Sequence, residues 1–389
     1  MSRHRENGHL KERSAGHWAI VISVRDPATG KRKRQWHSFT GTKKEAQAER
    51  IKLLAAINAG TAIEPTKTTI AAFLDRWLAH MASQISPRSY ERYTEIVKKN
   101  LVPALGAVIL TKLQPATISA AYTKALASGR RDGKGGLSAN TVVYMHRVLK
   151  HALQQAVRWN LLARNPADAV KPPKVERRRM MVYDTDQTAN LIEAARHTRL
   201  FIPVLLGVTT GIRRGEAVAL RWRNVDFGNA QLSIAESAEQ TRAGVRYKPP
   251  RTARGAPWRF QRASWRKLRA HRVRQAQELL KLGVRLSDDS FVVAQADGSP
   301  LQPRSLTHAF ELFLAAHKLP RIRLHDLRHT HATAMLKAGV HGKIVQERLG
   351  HSTIAITLDI YSQVVDGMQE EAAERVDAIL REALNKHRR

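Results

Sequence analysis

Apolar residues recur along this chain at two spacings. Ile70, Phe73, Leu74, Trp77, Leu78 and Met81 fall at i, i+3, i+4, i+7, i+8 and i+11, the stripe of a helix. Ser86-Pro87 then supplies a cap and a proline at the first helical position. Tyr90, Tyr93, Val97 and Leu101 carry that helix on until Pro103 and Gly106 end it. A third helix is expected over residues 117–127, with a glycine-rich basic loop over 130–136. Val142, Met145, Leu149, Leu153 and Ala156 make a fourth stripe, which stops before Asn165-Pro166. Four such helices in about 100 residues form a domain of ordinary size, and their stripes are core.

Residues 1–60 read differently. The run 18–24 is rich in β-branched residues and predicts a strand. Asp26-Pro27-Ala28-Thr29-Gly30 is turn chemistry, and 31–39 alternates as a partner strand. Thr42 is placed to cap a helix over 43–59. The expectation is a small β–β–β–α module. Pro65 and small polar residues over 61–67 suit a linker. Lys171-Pro172-Pro173-Lys174, followed by Arg177, Arg178 and Arg179, makes a basic linker over 171–179. The chain thus divides into a module over 1–60, a helical domain over 65–170 and a C-terminal domain over 180–389. The last is mostly helical, with a short β-sheet around 230–260. The fold class expected is mainly α with small β elements (α+β). A final amphipathic helix over 368–384 would carry Ala372, Val376, Ile379, Leu380 and Leu384 on one face.

Composition narrows the partner. The chain has 389 residues, 43% of them hydrophobic, as in a folded protein. Lysine and arginine number 66 against 33 acidic residues, a net charge of +33. Such a surface repels itself unless it meets a polyanion, and nucleic acid is the natural one. Basic side chains outnumber acidic ones by thirteen to five within residues 1–60, with Trp18 and Trp36 among them. A basic sheet of that kind can read a DNA groove, so Lys33 and Arg34 are candidate contacts, as are Arg177 and Arg178 in the linker. There is no cysteine, which excludes disulfides, thiolate catalysis and cysteine zinc sites. No apolar run spans a bilayer, and the polar start lacks a signal peptide's apolar segment. A cytoplasmic protein without membrane contact is expected.

Chemistry gathers in the second half. Gly211-Ile212-Arg213-Arg214-Gly215-Glu216 comes first, then Lys248 in Tyr247-Lys248-Pro249-Pro250-Arg251-Thr252-Ala253-Arg254. His325-Asp326-Leu327-Arg328, Leu349-Gly350-His351 and finally Tyr361 follow. Guanidinium groups clamp a phosphate bidentately. A histidine can move a proton near neutral pH. A tyrosine hydroxyl can form a covalent intermediate. His325, His329 and His331 also raise a zinc site, but no His-Glu-any-any-His motif accompanies them. Neither metal nor cofactor is expected.

In this order and spacing the residues resemble the tyrosine recombinases, the phage-integrase family, over roughly residues 65–365 and more loosely before that. The resemblance implies a C-shaped DNA clamp made of an arm-binding N-terminal module, a SAM-like core-binding domain and a catalytic domain. It makes Arg213 and Arg328 the catalytic arginines, Glu216 their acidic support and His325 a proton-transfer or hydrogen-bonding group. His351 would bind the scissile phosphate, Lys248 would protonate the leaving 5′ oxygen, and Tyr361 would be the nucleophile. Arg251 and Arg254 would hold phosphates. Pro249 and Pro250 depart from the family hairpin. The implied partners are double-stranded DNA and a homotetramer on two DNA sites, with a DNA-bending or excision protein as accessory. Three rival functions carry different signatures: a type IB topoisomerase, a catalytically silent DNA-binding protein and a metal-dependent nuclease.

Overall fold

The computed structural model describes residues 8–25, 32–58, 67–176, 181–250, 258–259, 262–351 and 353–361, with 374, 376–378, 380–381 and 384–385. It divides into two compact units, residues 1–177 and 178–389. Among the described residues no helix is long and apolar enough to cross a membrane.

The first unit opens on an antiparallel sheet, β1 (Gly8–Ser14), β2 (His17–Arg25) and β3 (Arg32–Thr40), in that order. Helix α1 (Lys43–Asn58) packs on it. Glu45 closes a reciprocal cap with Thr42: the Thr42 main-chain N–H donates to the carboxylate at 2.8 Å, and the Glu45 N–H donates to Oγ1 at 3.3 Å. Ala19, Ile20, Val21 and Ile22 are all at most 2% exposed, so the middle strand is covered on both faces. Trp36 stays 49% exposed, with the Arg13 guanidinium 5.9 Å over its ring. Arg34 is exposed on β3, while the side chain of Lys33 lies outside the described structure.

The helical part follows the stripes. Helix α2 (Ile70–Met81) buries the six apolar positions of its predicted face. Helix α3 (Pro87–Ile96) starts at the Ser86 cap with proline in its first turn. The structure departs from the expected single helix beyond it. A π turn covers Val97–Leu101, where the Val102 N–H reaches Val97 O, and a short helix α4 (Val102–Leu105) contains Pro103. Proline has no N–H to give, and its ring collides with the carbonyl four residues back. A wider turn just before it relieves that conflict. Helices α5 (Pro115–Ser128) and α6 (Ala139–Arg158) complete the core. Trp77 is fully buried and stacks on Tyr93 at 5.6 Å.

The second unit is mostly helical. Helices α7 (Thr185–Ala195), α8 (Phe201–Thr210) and α9 (Arg214–Ala219) come first. Strands β4 (Val225–Asp226), β5 (Gln231–Leu232) and β8 (Trp258–Arg259) form one small sheet. Strands β6 (Ser237–Thr241) and β7 (Gly244–Lys248) form a hairpin. Helices α10 (Arg262–Lys281), α11 (Pro303–Ala316), α12 (Asp326–Lys337), α13 (Gly342–Leu349) and α14 (Ile354–Tyr361) follow. Helix α8 is buried on nearly every side, because its sequence is almost wholly apolar. The described tail residues are helical, and Val376, Leu380 and Leu384, at i, i+4 and i+8, are 58%, 55% and 62% exposed.

Trp77→Ala is expected to cost about 3–5 kcal/mol in denaturant unfolding of the helical part. Trp77→Phe is expected to cost less than half of that. The Trp77 Nε1 has no hydrogen-bond partner among the described residues, so the change forfeits ring area and no hydrogen bond.

Candidate active site

Two helices of the second unit end in the same way, and the site is built on their ends. Helix α8 stops at Gly211 (φ 64°, ψ 29°) and α13 at Gly350 (φ 62°, ψ 50°), both left-handed. At Gly211 the need for glycine is also steric. A Cβ there would lie 2.5 Å from Leu349 Cδ2 and 3.0 Å from His331 Cδ2. The ends of α8 and α13 and the first turns of α12 therefore meet closely.

Helix ends leave carbonyls without partners and carry partial negative charge. Two arginines collect them. Arg328 donates from one terminal nitrogen to Gly211 O at 2.6 Å and from the other to Leu349 O. It is 2% exposed. Arg213 donates to Gly350 O at 2.6 Å. Arg213 is also the cap residue of α9. Its main-chain N–H donates to Glu216 Oε2 at 3.0 Å and its guanidinium to Oε1 at 2.9 Å. Glu216 is 1% exposed, so both oxygens of a buried carboxylate are satisfied by charge-assisted bonds. The Arg213 side chain keeps 29% exposure. Arg214 turns away to Thr307 on α11, at 2.8 Å.

Behind this pair lies a clasp that sequence reasoning missed. Arg348 Nε donates to His331 Nε2 at 3.3 Å, and His331 Nδ1 meets Val208 O at 3.0 Å. An acceptor at Nε2 and a carbonyl at Nδ1 fix a neutral ring with its proton on Nδ1. Burial, and then Arg348, push the His331 pKa down to about 4.

The predicted histidines converge with the arginines. His351 follows Gly350 directly, and its Nδ1 lies 2.9 Å from the hydroxyl of Thr357, which is fully buried. With that hydroxyl donating, the ring proton sits on Nε2. Burial pushes the His351 pKa down to about 4, aided by Arg328, Arg213, His329 and His325. His325 precedes α12 and keeps exposed surface. The protein around its ring, then His329 and Arg328, hold its pKa well below the ordinary range. The His325 and His329 rings meet edge to face at 5.1 Å. Among the described residues no group of three or more His, Asp or Glu side chains could hold a metal ion. With its histidines neutral, the site's positive charge rests on the arginines.

Lys248 arrives on the hairpin. Gly215 lets β6 approach α9: a Cβ there would meet Ala238 O at 2.6 Å and Ser237 Oγ at 2.8 Å. Ser237 is the register partner of Lys248, so the lysine's strand is paired to the one that lies beside the helix that Arg213 caps. Its ammonium pairs with Glu239. Helix α14 packs on α12 and α13 and ends at Tyr361, whose side chain lies outside the described structure. Arg177, Arg178, Arg251 and Arg254 also lie outside the described residues. The geometry thus brings together Arg213, Glu216, His325, Arg328 and His351. It places Lys248 on the adjoining hairpin.

Residues 181–367 match the model of the phage integrase family, and residues 69–126 match that of the phage integrase N-terminal SAM-like domain. The chain is 26% identical to a "Tyrosine recombinase XerC-like" protein of Caldanaerobacter subterraneus subsp. tengcongensis, over 93% of this chain and 96% of that relative. It is 25% identical to the ICEBs1 integrase of Bacillus subtilis, over 95% of this chain and 100% of that relative. The fold resembles the Tn1549 transposon integrase solved with circular intermediate DNA: TM-score 0.65, 17% identity, 78% of this chain and 99% of that one. It also resembles the lambda integrase tetramer bound to a Holliday junction, with TM-score 0.54, 19% identity, and 92% and 96% of the two chains covered.

Two outcomes follow from the geometry. Gly211→Ala forces a left-handed alanine against Leu349 and His331, and is expected to lower stability by about 1–2 kcal/mol in chemical denaturation. The histidines set a pH dependence. A ring held neutral by the fold takes up its proton on unfolding. Between the folded values near 4 and the ordinary 6.5 the unfolded chain therefore binds more protons. Stability should fall as pH drops through that window. Thermal melting is expected to decrease from about pH 7 to about pH 5, less steeply in His331→Gln.

Proposed function

Given that the chain belongs to the phage integrase family of tyrosine recombinases, we propose that it cuts and rejoins double-stranded DNA through Tyr361, without metal or ATP. It is a site-specific recombinase of the mobile-element type. The observation that carries the mechanism is the meeting of Arg213, Arg328, His325 and His351 at the ends of α8 and α13, beside the helix that Tyr361 closes.

In this reading the Tyr361 oxygen attacks phosphorus and the bond to the 5′ oxygen breaks, leaving a 3′-phosphotyrosine and a free 5′-hydroxyl. Charge develops on the non-bridging oxygens. Arg213, the more accessible arginine, and the Nε2–H of a neutral His351 donate to them, while Arg328 supplies positive charge from behind. Preorganised donors of this kind are commonly the largest catalytic contribution, about 3 kcal/mol for one donor lost. Lys248 protonates the leaving oxygen, and His325 assists proton transfer at the tyrosine. The covalent link keeps the energy of the broken bond, so a second 5′-hydroxyl can reseal the strand.

The rest of the chain serves the same substrate. The module over 1–60 would bind separate arm sites through the basic face bearing Trp36, Arg13 and Arg34. The domain over 65–170 and the linker over 171–179 would clasp the core site, with Arg177 and Arg178 on phosphates. Arg251 and Arg254 would do likewise beside Lys248. The exposed stripe Val376, Leu380 and Leu384 suits a second copy of this chain, within a tetramer on two DNA sites. Arm-binding and tail segments favour recombination over the relaxation activity of a type IB topoisomerase. An accessory bending or excision protein would act on the assembled complex.

The test is covalent trapping. The full chain is incubated in EDTA with nicked fragments of the DNA flanking its own gene. A denaturation-resistant protein–DNA adduct is expected, and none with Tyr361→Phe. Binding without any adduct, or nicking only on addition of Mg²⁺, would contradict the mechanism.

A further inference from the structure

Glu239 lies on β6, diagonally across the hairpin from Lys248. In the register Ser237 faces Lys248 and Glu239 faces Arg246, so Glu239 and Lys248 share one face of the pair. Its Oε1 accepts from the lysine Nζ. Its other oxygen, Oε2, is buried without a hydrogen-bond partner among the described residues. The side chains are 10% and 24% exposed.

Glu216, on the helix that packs against β6, offers the contrast. Both of its oxygens are bonded, as those of a buried carboxylate usually are. A buried carboxylate with one oxygen orphaned is destabilising, and a buried ion pair is seldom kept for stability. A role for the ion itself accounts for its presence there. We propose that Glu239 is the positioning residue of Lys248, holding its ammonium in place at the end of the hairpin so that it can deliver a proton to the leaving oxygen. This rests on the reading of Lys248 as the proton donor.

The step balances as follows. As the Tyr361 O–P bond forms, its hydroxyl proton passes to His325, and the P–O5′ bond breaks with its electron pair staying on O5′. That oxygen takes a proton from Nζ, and Lys248 is left as a neutral amine beside the Glu239 carboxylate. On resealing, the attacking 5′-hydroxyl returns its proton to the same nitrogen. A carboxylate in contact fixes the position of that nitrogen at both ends of the cycle.

The test compares two versions of the nicked substrate in single-turnover cleavage by the full chain. One has the ordinary bridging 5′ oxygen, and the other a bridging 5′ sulfur. A thiolate is a far weaker base than an alkoxide and leaves without a proton. On the oxygen substrate Glu239→Gln and Glu239→Ala are expected to slow cleavage about tenfold or more, part of what a general acid supplies. On the sulfur substrate both should return close to the wild-type rate, as should Lys248→Met. Glu239→Ala combined with Lys248→Met should be no slower than Lys248→Met alone. The ratio of the two rates on one preparation cancels any misfolded fraction. Equal losses on both substrates would mean that Glu239 only supports the fold, and no loss on either would also overturn the inference. If sulfur fails to restore Lys248→Met, the assignment of Lys248 falls and this inference with it. If sulfur restores Lys248→Met while the Glu239 variants cleave normally, this inference alone is wrong.

Discussion

Two helices that end on left-handed glycines, with their last carbonyls gathered by two arginines, hold the catalytic unit's chemistry in place. Arg328 reaches Gly211 and Leu349, 117 and 21 residues away, and Arg213 reaches Gly350, 137 residues away. A buried guanidinium far from any counter-ion is prohibitively costly. Here the negative ends of α8 and α13 and the buried Glu216 take the place of solvent. The same bonds make three distant signature segments a single object.

This arrangement also decides which groups carry charge. Burial lowers the pKa of the His351 and His325 rings first, and the neighbouring Arg328 adds to it for both, so that a further proton there is disfavoured. A neutral imidazole whose Nδ1 faces the Thr357 hydroxyl presents a single N–H donor with defined direction. Permanent positive charge from arginine and directional donation from histidine are complementary needs of a phosphoryl transition state. Their separation here is a consequence of packing, with the Arg348–His331 clasp bracing the ends of α8 and α13 from behind.

Much of this was legible in the sequence because it is local. The stripes of α2 and α6 and the caps at Thr42 and Ser86 all act within a few residues. The spacing of Arg213 and Glu216 gave their contact directly, since three residues span one turn. Other features were hidden because they depend on tertiary neighbours. The expected continuous helix through residue 101 became a π turn because Pro103 lacks an N–H and its ring collides with the carbonyl four residues back. The carbonyl partners of Arg328 carry no side-chain signature. Thr357 carries no signature of its own between His351 and Tyr361, and its bond to His351 depends on its burial in the fold. Glu239 required the hairpin register.

The most direct measurement is amide hydrogen exchange on the full chain, comparing wild type with Arg328→Met. Methionine keeps much of the volume and removes the donors. If Arg328 ties the site together, amides around 211–216 and 349–351 should lose protection together, while the helical core around Trp77 stays as protected as before. Loss confined to one of the two segments, or to neither, would contradict the claim that one buried arginine makes them a single site.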